Sequence, residues 1–597
     1  MAESIISPGV LTRENDISFV QPAPIAAGAA FVGPTVKGPD NQPTIVTSYN
    51  DYVRRFGETF TSGSSNYEFL TSVAVKNYFS QGGNTALITR VVSGSYTAAA
   101  NTWISASLGP KSGSQPFTLS TLGKGAMYNN AAGQTSAIVG GAGYINSDGS
   151  LVTGSADNIR WEIQNVNSGS GTFTLLIRQG NDSTNNPVIL ETFNNLSLDP
   201  KSPNYIEAVI GNQYTTVGTD GATSYIYKAG TYPNRSNYVR VSAVNLATPN
   251  YLSNNGITVN TDAVNVSYSA SLPIATSGSF YNAAGAVKSG ATYFSSLGTS
   301  TADAQGLVGD NYSTALSLLA NTDEYRFNII STPGLINKGG QAQGTNYNAG
   351  QIISQVVSLA ETRGDCIAVV DLVPTGSIIS DVTSQAATLN SSYAATYWPW
   401  VQIQSATGKN EYVPAGTVIP GVYAFTDNAT APWFAPAGLV RGGIAGVIQA
   451  ERKLTKGDRD TLYLGKVNPI ATFPGTGISV FGQKTLQTKA SALDRVNVRR
   501  LLIELKKFIG DQARNLVFEQ NTIATRNRFL ATVNPYLESV VQRQGLYAYR
   551  VVMDDTNNTA DVVDRNQLVG QIFIQPTKTI EFVVLDFTVE PTGATFA

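Results

Sequence analysis

The stretch LDRVNVRRLLIELKKFIGDQARNLVFEQ, residues 493–520, is the clearest long helix in the sequence. Its apolar residues recur every three to four positions, which places them in one stripe along one side of a helix. Ser491 and Asp494 can both cap its start, since each side chain offers an oxygen to free backbone N–H groups. The pattern predicts a helix that packs against a core. The stripe consists of Val498, Leu501, Leu502, Leu505, Phe508, Ile509, Ala513 and Leu516.

The other faces of this helix carry a surplus of positive charge. Only Asp494, Glu504 and Asp511 stand against the cations. In a chain with few charges, such a surface is a candidate docking surface. The alternative is a solvated face, on which Arg500–Glu504 and Lys507–Asp511 form ion pairs of about 0.2–0.5 kcal/mol each because the partners are four residues apart. The cations are Arg495, Arg499, Arg500, Lys506, Lys507 and Arg514.

The composition indicates a large protein with an unusually uncharged surface. The 597 residues predict more than one domain and allow a large buried core. Charged residues make up 13%, about half of the fraction usual in globular proteins. Such a composition suits a protein packed into an assembly, because each buried ion costs desolvation energy. Secreted β-rich proteins share it, so that alternative stays open. The net charge of −2 predicts no general attraction to nucleic acid or anionic membranes.

The residue types needed for common enzyme mechanisms are missing. The sequence has no histidine, which excludes Ser-His-Asp and Cys-His nucleophile pairs and His-ligated metal sites. The single cysteine, Cys366, begins an apolar run and is predicted to be buried. No phosphate-binding, dinucleotide-binding or nucleophile-elbow motif occurs. We therefore predict no catalytic, cofactor-binding or metal-binding residue, and an enzyme on an α/β scaffold remains the alternative.

The sequence carries no recognisable targeting segment. The N-terminal MAESIISPGV lacks the charged and apolar regions of a signal peptide, and no apolar run is long enough to span a bilayer. We expect a protein that is made in a cytoplasm, is not inserted in a membrane and does not contact nucleic acid directly.

Residues 1–23 are predicted to form an N-terminal arm. Val10, Leu11, Thr12 and Arg13 indicate an extended strand, but no neighbouring segment offers it a partner. A strand of this kind pairs with a distant segment or with another chain.

The chain then alternates between two patterns. Residues 24–92 follow the order strand–helix–helix–strand, with Ser48 and Gly57 expected to begin and end the first helix. Residues 93–321 are rich in Gly, Ser, Thr and Asn and contain short alternating runs, which predicts one or two inserted β-rich domains. Residues 322–436 return to alternating strands and helices, typical of a mostly parallel sheet.

Residues 437–589 are predicted to form a C-terminal domain around the helix of residues 493–520. A second helix is predicted at residues 534–543, and residues 590–597 read as a flexible tail. The predicted fold is multidomain and of the α/β plus β class, with an α/β core built from both ends of the chain, an inserted β-rich part and extended terminal arms. The predicted C-terminal strands are Leu546–Met553, Leu568–Gln575 and Thr579–Val589.

Motifs at both ends of the chain resemble the contractile tail sheath proteins of myovirus (T4-like) bacteriophages. The first half contributes SPGV, FVGPTVKGP, RRFGE and NYFSQGGNTALITRVV. The second half contributes PAGLVRGGI, DRVNVRRLLIELKKFIG and the run from YRVVMDD to PTGATF. The resemblance covers residues 1–92 and 325–597. It is weak or absent in the β-rich middle, which in this family is variable and faces outward.

The resemblance implies a structural subunit of a phage tail. Subunits stack as hexameric rings in a helix around the tail tube, and the sheath contracts to drive the tube through the host envelope for genome ejection. The implied partners are other copies of the chain, the tail tube protein, and baseplate and tail terminator proteins. The C-terminal domain is implied to be the inner layer of the sheath, with the six cations of the helix at residues 493–520 facing the tube. Both termini are implied to exchange strands with neighbouring subunits, through Val10, Leu11, Thr12, Arg13, Phe582, Val584, Leu585, Phe587 and Val589.

Two alternatives belong to the same structural class. One is the sheath of a related contractile injection system, either a tailocin or a secretion-type machine. The other is a self-assembling shell or surface-layer protein.

Overall fold

The structure is a computed structural model in which both predicted arms lie outside the described residues. The arm strand residues Val10 to Arg13 and Phe582 to Val589 are therefore not described either. The described residues are 25–62, 65–92, 97–101, 115–125, 148–151, 154, 156, 158–221, 223–260, 272–281, 312–337, 349–475 and 477–581.

The first part of the chain forms short strands around two helices. Ser48 accepts a hydrogen bond from the Asp51 backbone N–H at 3.1 Å, and Gly57 ends the first helix with a φ of 74°, as predicted. The second helix predicted within residues 24–92 begins at Leu70, because residues 65–68 pair as a strand. The strands are β1 Ile25–Gly33, β2 Thr44–Val46, β3 Thr59–Ser62, β4 Ser65–Glu68 and β5 Ala86–Arg90, and the helices are α1 Tyr49–Phe56 and α2 Leu70–Ser80.

The middle of the chain is β-rich and its strands are antiparallel, in the sheet order β10-β9-β8-β14-β6-β7-β13, with β11–β12 as a separate hairpin. Strand β7 alternates strictly between buried and half-buried residues, which places one of its faces on a core with Trp161 and Phe173. The elements are β6 Ala98–Asn101, β7 Phe117–Lys124, β8 Ile159–Asn167, β9 Thr172–Gln179, β10 Ile189–Ser197, α3 Ile206–Ile210, β11 Tyr214–Asp220, β12 Thr223–Ala229, β13 Val239–Val244 and β14 Thr276–Tyr281.

The third part of the chain alternates strands and helices. Two of its strands, β17 and β18, are joined at a cis Trp398–Pro399 bond. The elements are α4 Tyr312–Leu319, β15 Tyr325–Ile336, α5 Ala349–Arg363, β16 Ile367–Asp371, α6 Ile379–Ala387, β17 Ala394–Trp398, β18 Val401–Gln404, β19 Asn410–Val413, α7 Ile419–Ala429, α8 Gly438–Arg441, β20 Val447–Ala450, α9 Lys456–Leu464, β21 Asn468–Phe473 and β22 Gly477–Val480.

The last part of the chain is two long helices and a hairpin. The second long helix begins eleven residues before the predicted residue 534 and runs through Pro535. These elements are α10 Val496–Arg514, α11 Ile523–Gln542, β23 Leu546–Val552, α12 Ala560–Asp564 and β24 Gln571–Pro576.

One eight-stranded sheet joins the two ends of the chain. Its order is β2-β5-β1-β15-β16-β17-β21-β22, and every pair except the two at its edges is parallel. Strand β1 pairs with β15, so Ile25 lies beside Tyr325. Strands β5, β16 and β17 are buried along their whole length, as expected where helices cover both faces of a parallel sheet. The sheet continues to residue 480, past the predicted boundary at residues 436/437.

Two apolar cores lie on opposite faces of this sheet. Strand residues Ala29 and Phe31 face the core that contains α2 and α7, whereas Ala30 and Val32 face the core that contains α4, α5 and α6. This alternation follows from the two-residue period of a strand. Cys366 is a free, buried cysteine at the start of β16, as predicted.

Candidate assembly interface

Helix α10 lies within the helix predicted at residues 493–520, but it starts later than predicted. Its first residue is Val496, preceded by Arg495, whose side chain makes no capping hydrogen bond. Ser491 instead caps the short 3-10 helix Ala492–Asp494 by accepting a hydrogen bond from Leu493 N–H. The prediction that Ser491 and Asp494 cap the long helix is therefore wrong.

Helix α10 connects two apolar cores. Val496 and Ile503 belong to the core of the eight-stranded sheet. Leu501 and Leu505 face the opposite way, into a separate cluster formed by α11, the β23–β24 hairpin and Trp433. The predicted apolar stripe therefore accounts for one of the two contacts, and the helix fixes the C-terminal unit to the sheet.

Arg500 is buried within the subunit. Its side chain is 3% exposed and forms an ion pair of 2.6 Å with Asp427 of α7. The guanidinium also lies 4.7 Å from the centre of the Tyr423 ring. Burial acts to lower the pKa of Arg500, but the Asp427 carboxylate raises it, so the guanidinium stays charged. The prediction that Arg500 lies on an exposed docking face is wrong, and its ion-pair partner is Asp427 rather than Glu504.

Arg499 is also buried, at the start of the same helix. Its guanidinium stacks on the Tyr393 ring at 4.0 Å and donates a hydrogen bond to the Ser392 hydroxyl. Burial lowers the pKa of Arg499, and no described carboxylate offsets this effect with an ion pair. Arg499 therefore cannot contribute to a docking surface in this conformation either, because its charge is covered by the subunit itself.

Three further charged residues of α10 contact the start of β15 and the turn before it. Lys507 donates a hydrogen bond to Asn328 at 3.2 Å, and Arg514 pairs with Asp323 at 2.8 Å. Asp511 pairs with Arg326 at 2.8 Å, so the alternative Lys507–Asp511 pair is not the one formed. Much of the predicted docking face thus serves to hold α10 on the sheet.

Lys506 and Arg514 remain exposed on this helix. Lys506 donates a hydrogen bond of 3.3 Å to the Tyr393 hydroxyl, and Arg514 is 54% exposed despite its ion pair. The tube-facing role predicted for the helix can therefore rest only on its accessible side chains.

A clamp of three side chains holds Glu581, the last described residue of the chain. Arg495 pairs with both carboxylate oxygens, at 2.7 and 3.0 Å. Gln483 donates a hydrogen bond to Oε1 at 3.2 Å, and the Tyr463 hydroxyl donates to Oε2. Burial acts to raise the pKa of Glu581, but the hydrogen bonds from Arg495 and Tyr463 lower it below its usual range. The clamp therefore fixes the position from which the predicted C-terminal arm begins.

The β23–β24 hairpin lies next to this clamp in sequence. Its inward side chains pack on α11 and α10, whereas Phe573 on the other face is exposed. Among the described residues these two strands form a sheet of their own, so each has one unpaired edge. An unpaired edge presents backbone N–H and C=O groups to an incoming strand. The inward residues of the hairpin are Tyr549, Val551, Ile572 and Ile574.

The turn between α10 and α11 and the first residue of α11 expose three apolar side chains, of which Val517 and Phe518 lie within the predicted helix of residues 493–520. Val517 and Ile523 are largely exposed, and Phe518 is fully exposed with a left-handed φ of 70°. This backbone conformation is uncommon for a bulky residue. A usable signal was the apolar run from Leu516 to Phe518, which begins two residues after Arg514, the last cation of the helix.

The described residues contain no group of three or more metal-ligating side chains suited to holding a metal ion. None of the helices in the described part of the chain is both long and apolar enough to cross a membrane.

Two family models match adjoining parts of the chain. The phage tail sheath protein central domain matches residues 305–486, and the phage tail sheath C-terminal domain matches residues 488–590. The boundary between them falls after the eight-stranded sheet and just before α10.

The chain is also similar to named tail sheath proteins. It is 41% identical over 196 residues to the tail sheath protein of Vibrio phage KVP40, covering 33% of this chain and 29% of that relative. It is 35% identical over 266 residues to the tail sheath protein of Enterobacteria phage T4, covering 42% and 40%. These alignments span less than half the length of either relative. The sheath tail protein of Listeria innocua aligns over 93% of this chain and 96% of its own, with a TM-score of 0.49 and 10% identity. The family models and the two phage relatives confirm the resemblance to T4-like tail sheath proteins that the sequence motifs indicated.

Proposed function

We propose that this chain is the structural subunit of a contractile phage tail sheath. Copies stack as six-fold rings in a helix around the tail tube, and the sheath contracts to drive the tube through the host envelope for genome ejection. The observation that carries the proposal is the match of both sheath family models, in order and without a gap of more than one residue, over residues 305–590. Contraction of this kind draws on conformational energy stored in the lattice and needs no catalytic residue.

Strand exchange between subunits is the proposed basis of the lattice. The clamp at Glu581 fixes the start of the C-terminal arm, and the β23–β24 hairpin offers two edges with which no other described strand pairs. An arm strand from a neighbouring subunit gains main-chain hydrogen bonds on such an edge, which supply affinity without a deep pocket. Because exchanged strands join the subunits through main-chain hydrogen bonds, neighbouring subunits can change their relative orientation and remain connected.

The proposed contact with the tube is narrower than the cationic face predicted from the sequence. It includes Lys506 and Arg514, which stay accessible, and the exposed turn with Val517 and Phe518. A small contact of this kind is expected to be weak, since exposed charges contribute about 0–1 kcal/mol each, and weak contacts can break during contraction. Replacing Phe518→Ser should leave the thermal unfolding temperature unchanged and reduce co-assembly with tail tubes in a pelleting assay. Normal co-assembly of this variant removes the turn from the interface.

The proposed partners are other copies of this chain, the tail tube protein, and the baseplate and tail terminator proteins at the two ends of the tail. The proposed location is the virion tail, after synthesis in the host cytoplasm. The DNA passes inside the tube, so no nucleic-acid contact is proposed, and no membrane insertion is proposed.

Negative-stain electron microscopy of the purified full-length chain tests the proposal directly. We expect rings or hollow tubes with six-fold symmetry. Flat two-dimensional arrays instead support a surface-layer protein, and a chain that stays monomeric with and without tail tubes contradicts the sheath role. Tubes that co-assemble only with a tube protein from a non-phage injection system support the related contractile machine.

A further inference from the structure

A cleft with a volume of about 700 Å³ separates the α/β core from the β-rich middle of the chain. On the core side it is lined by residues 37–55, including α1. On the other side it is lined by residues of β7 and β13 and of the β11–β12 hairpin. Its volume falls within the range typical of small-molecule sites in proteins.

The cleft is strongly cationic although the whole chain has a net charge of −2. Asp40 is the one carboxylate among its described lining residues. Positive charges from both domains therefore face each other across the cleft. The cationic lining residues are Lys37, Arg54, Arg55, Lys124, Lys228 and Arg240.

Carboxylates among the described residues pair with three of these cations. Asp51 pairs with both Arg54 and Arg55, at 2.8 and 2.9 Å. Asp40 pairs with Lys124 at 2.9 Å, which links the two sides of the cleft. Nearby Glu191 accepts hydrogen bonds from Ser236 and Asn237 and pairs with no described cation.

Arg240 contacts an aromatic ring rather than a described carboxylate. Its guanidinium lies over the Tyr214 ring at 4.2 Å, and among the described residues no carboxylate pairs with it. Burial lowers the pKa of Arg240, so the protein pays a desolvation cost for this charge that Tyr214 offsets only in part. Lys228 lies on β12, which pairs with the strand that carries Tyr214, and it makes no ion pair with a described residue either.

We propose that this cleft binds a compact anion that carries two or more phosphate or carboxylate groups and bridges the two domains. Arg240 and Lys228 are its ligands from the β-rich side, and Arg54 and Arg55 approach it from α1. Arginine guanidinium groups match the geometry of phosphate and carboxylate oxygens, and they bind these groups through paired hydrogen bonds. An anion in this position removes the repulsion between the two cationic walls and thereby fixes the domains relative to each other.

Isothermal titration calorimetry with the full-length chain tests the site, with sodium tripolyphosphate and citrate as probes at constant ionic strength. We expect saturable binding of at least one probe at one anion per chain, and a thermal unfolding temperature that rises with its concentration. The double variant Arg240→Gln, Lys228→Gln should weaken binding at least tenfold. Binding of only tripolyphosphate or only citrate distinguishes a phosphate site from a carboxylate site.

The matched control is Lys453→Gln, Lys456→Gln, which removes the same charge from an exposed segment outside the cleft. It should bind the probe as the parent does. Equal weakening in both double variants indicates general attraction of anions and overturns the proposal, as does the absence of saturable binding to either probe. A cleft variant that fails to fold is replaced by Arg240→Lys, which keeps the charge and should weaken binding through lost bidentate geometry. These outcomes do not depend on whether the chain forms a sheath.

Discussion

At the scale of single residues, Arg500 distinguishes a structural role from a docking role. Replacing Arg500→Met leaves the Asp427 carboxylate without its partner, next to the paired hydroxyls of Tyr397 and Tyr423. We expect a loss of about 3 kcal/mol in the free energy of unfolding, at the lower end for broken buried ion pairs because Asp427 keeps some contact with water. Urea denaturation followed by circular dichroism measures it.

Arg514→Met on the same helix is the matched control for this measurement. Its ion pair with Asp323 joins side chains that are 54% and 78% exposed, so we expect a change of no more than about 1 kcal/mol. Equal effects of the two substitutions would mean that Arg500 is not buried in solution, and the docking role would return.

Asp371 makes the stability of the fold depend on pH, and the burial of its carboxyl group sets the direction of this dependence. It ends β16 in the core, and burial raises its pKa to about 7, although Gly416 N–H donates a hydrogen bond to it at 2.8 Å. Between pH 4 and pH 7 the unfolded chain loses this proton and the folded chain keeps it, so the stability falls as pH rises through this range. Asp371→Asn should remove the effect and exceed the parent by roughly 4 kcal/mol at pH 8, with no such gain at pH 4.

The check is the free energy of unfolding of both proteins at several pH values. A parallel pH dependence of parent and variant would show that Asp371 ionises normally in the fold.

The side-chain partners of the cationic residues could not be predicted from the sequence. The partners of Arg499, Arg500 and Arg514 lie more than seventy residues away, whereas spacing patterns report only neighbours within about one helical turn.

At the scale of secondary-structure elements, the clamp at Glu581 links α10 to the C-terminal arm. Glu581→Gln keeps the shape of the side chain but removes the charge that Arg495 binds at 2.7 Å. We expect the unfolding free energy to fall by about 1 kcal/mol, because Arg495 retains its ion pair with Asp494. Tube formation should slow severalfold in turbidity measurements, because the arm then leaves the subunit from a looser point.

The lowered pKa of Glu581 adds a second readout to the same variant. The stabilisation from this carboxylate holds above its unfolded pKa of 4.5 and disappears as pH falls through the lower folded value. Parent and Glu581→Gln should therefore differ at pH 7 and converge as pH falls below 4.5 and through the lower folded pKa. A constant difference across this range would contradict the clamp.

Helices and strands were predictable where the spacing of apolar residues stayed regular over many residues. The residues at which they begin and end were not predictable. The apolar repeat of α10 predicted a long helix, but the short 3-10 turn before it took the capping residue Ser491. Residues 65–68 contain the start of a helical pattern but pair with β3, because tertiary contacts override local propensity. The Phe518 turn was assigned to the helix because apolar residues alone do not show where the chain turns.

At the scale of the whole molecule, some of the few charges of this chain are buried inside it. Arg178 and Arg160 share the buried Asp182 in the β-rich middle, at 2.7 and 3.3 Å, and Arg500 and Arg526 are buried at ion pairs near the C-terminus. The low charge content predicted burial in an assembly. It also reflects a surface whose polarity comes from uncharged residues while arginines connect distant segments.

The strand order of the eight-stranded sheet could not be predicted from one sequence. Alternating strands and helices indicated a parallel sheet, and this class is found. The pairing of β1 with β15 spans about 300 residues, and no local pattern encodes it. The placement of β21 and β22 at the far edge of the sheet also moves this segment out of the predicted C-terminal domain, because strand order is set by packing rather than by position along the chain.

Removal of the arms is the prediction that belongs to this scale. Chains that lack residues 1–20 or residues 582–597 keep every described residue, including Glu581 and its clamp. Their circular dichroism spectrum and thermal unfolding temperature should therefore match those of the full-length chain. Tube formation, measured by electron microscopy and sedimentation, should fall below detection, because each subunit then lacks a strand for its neighbour. Normal tubes from both truncated chains would contradict strand exchange, whereas a lowered unfolding temperature would assign the arms to the fold of the subunit itself.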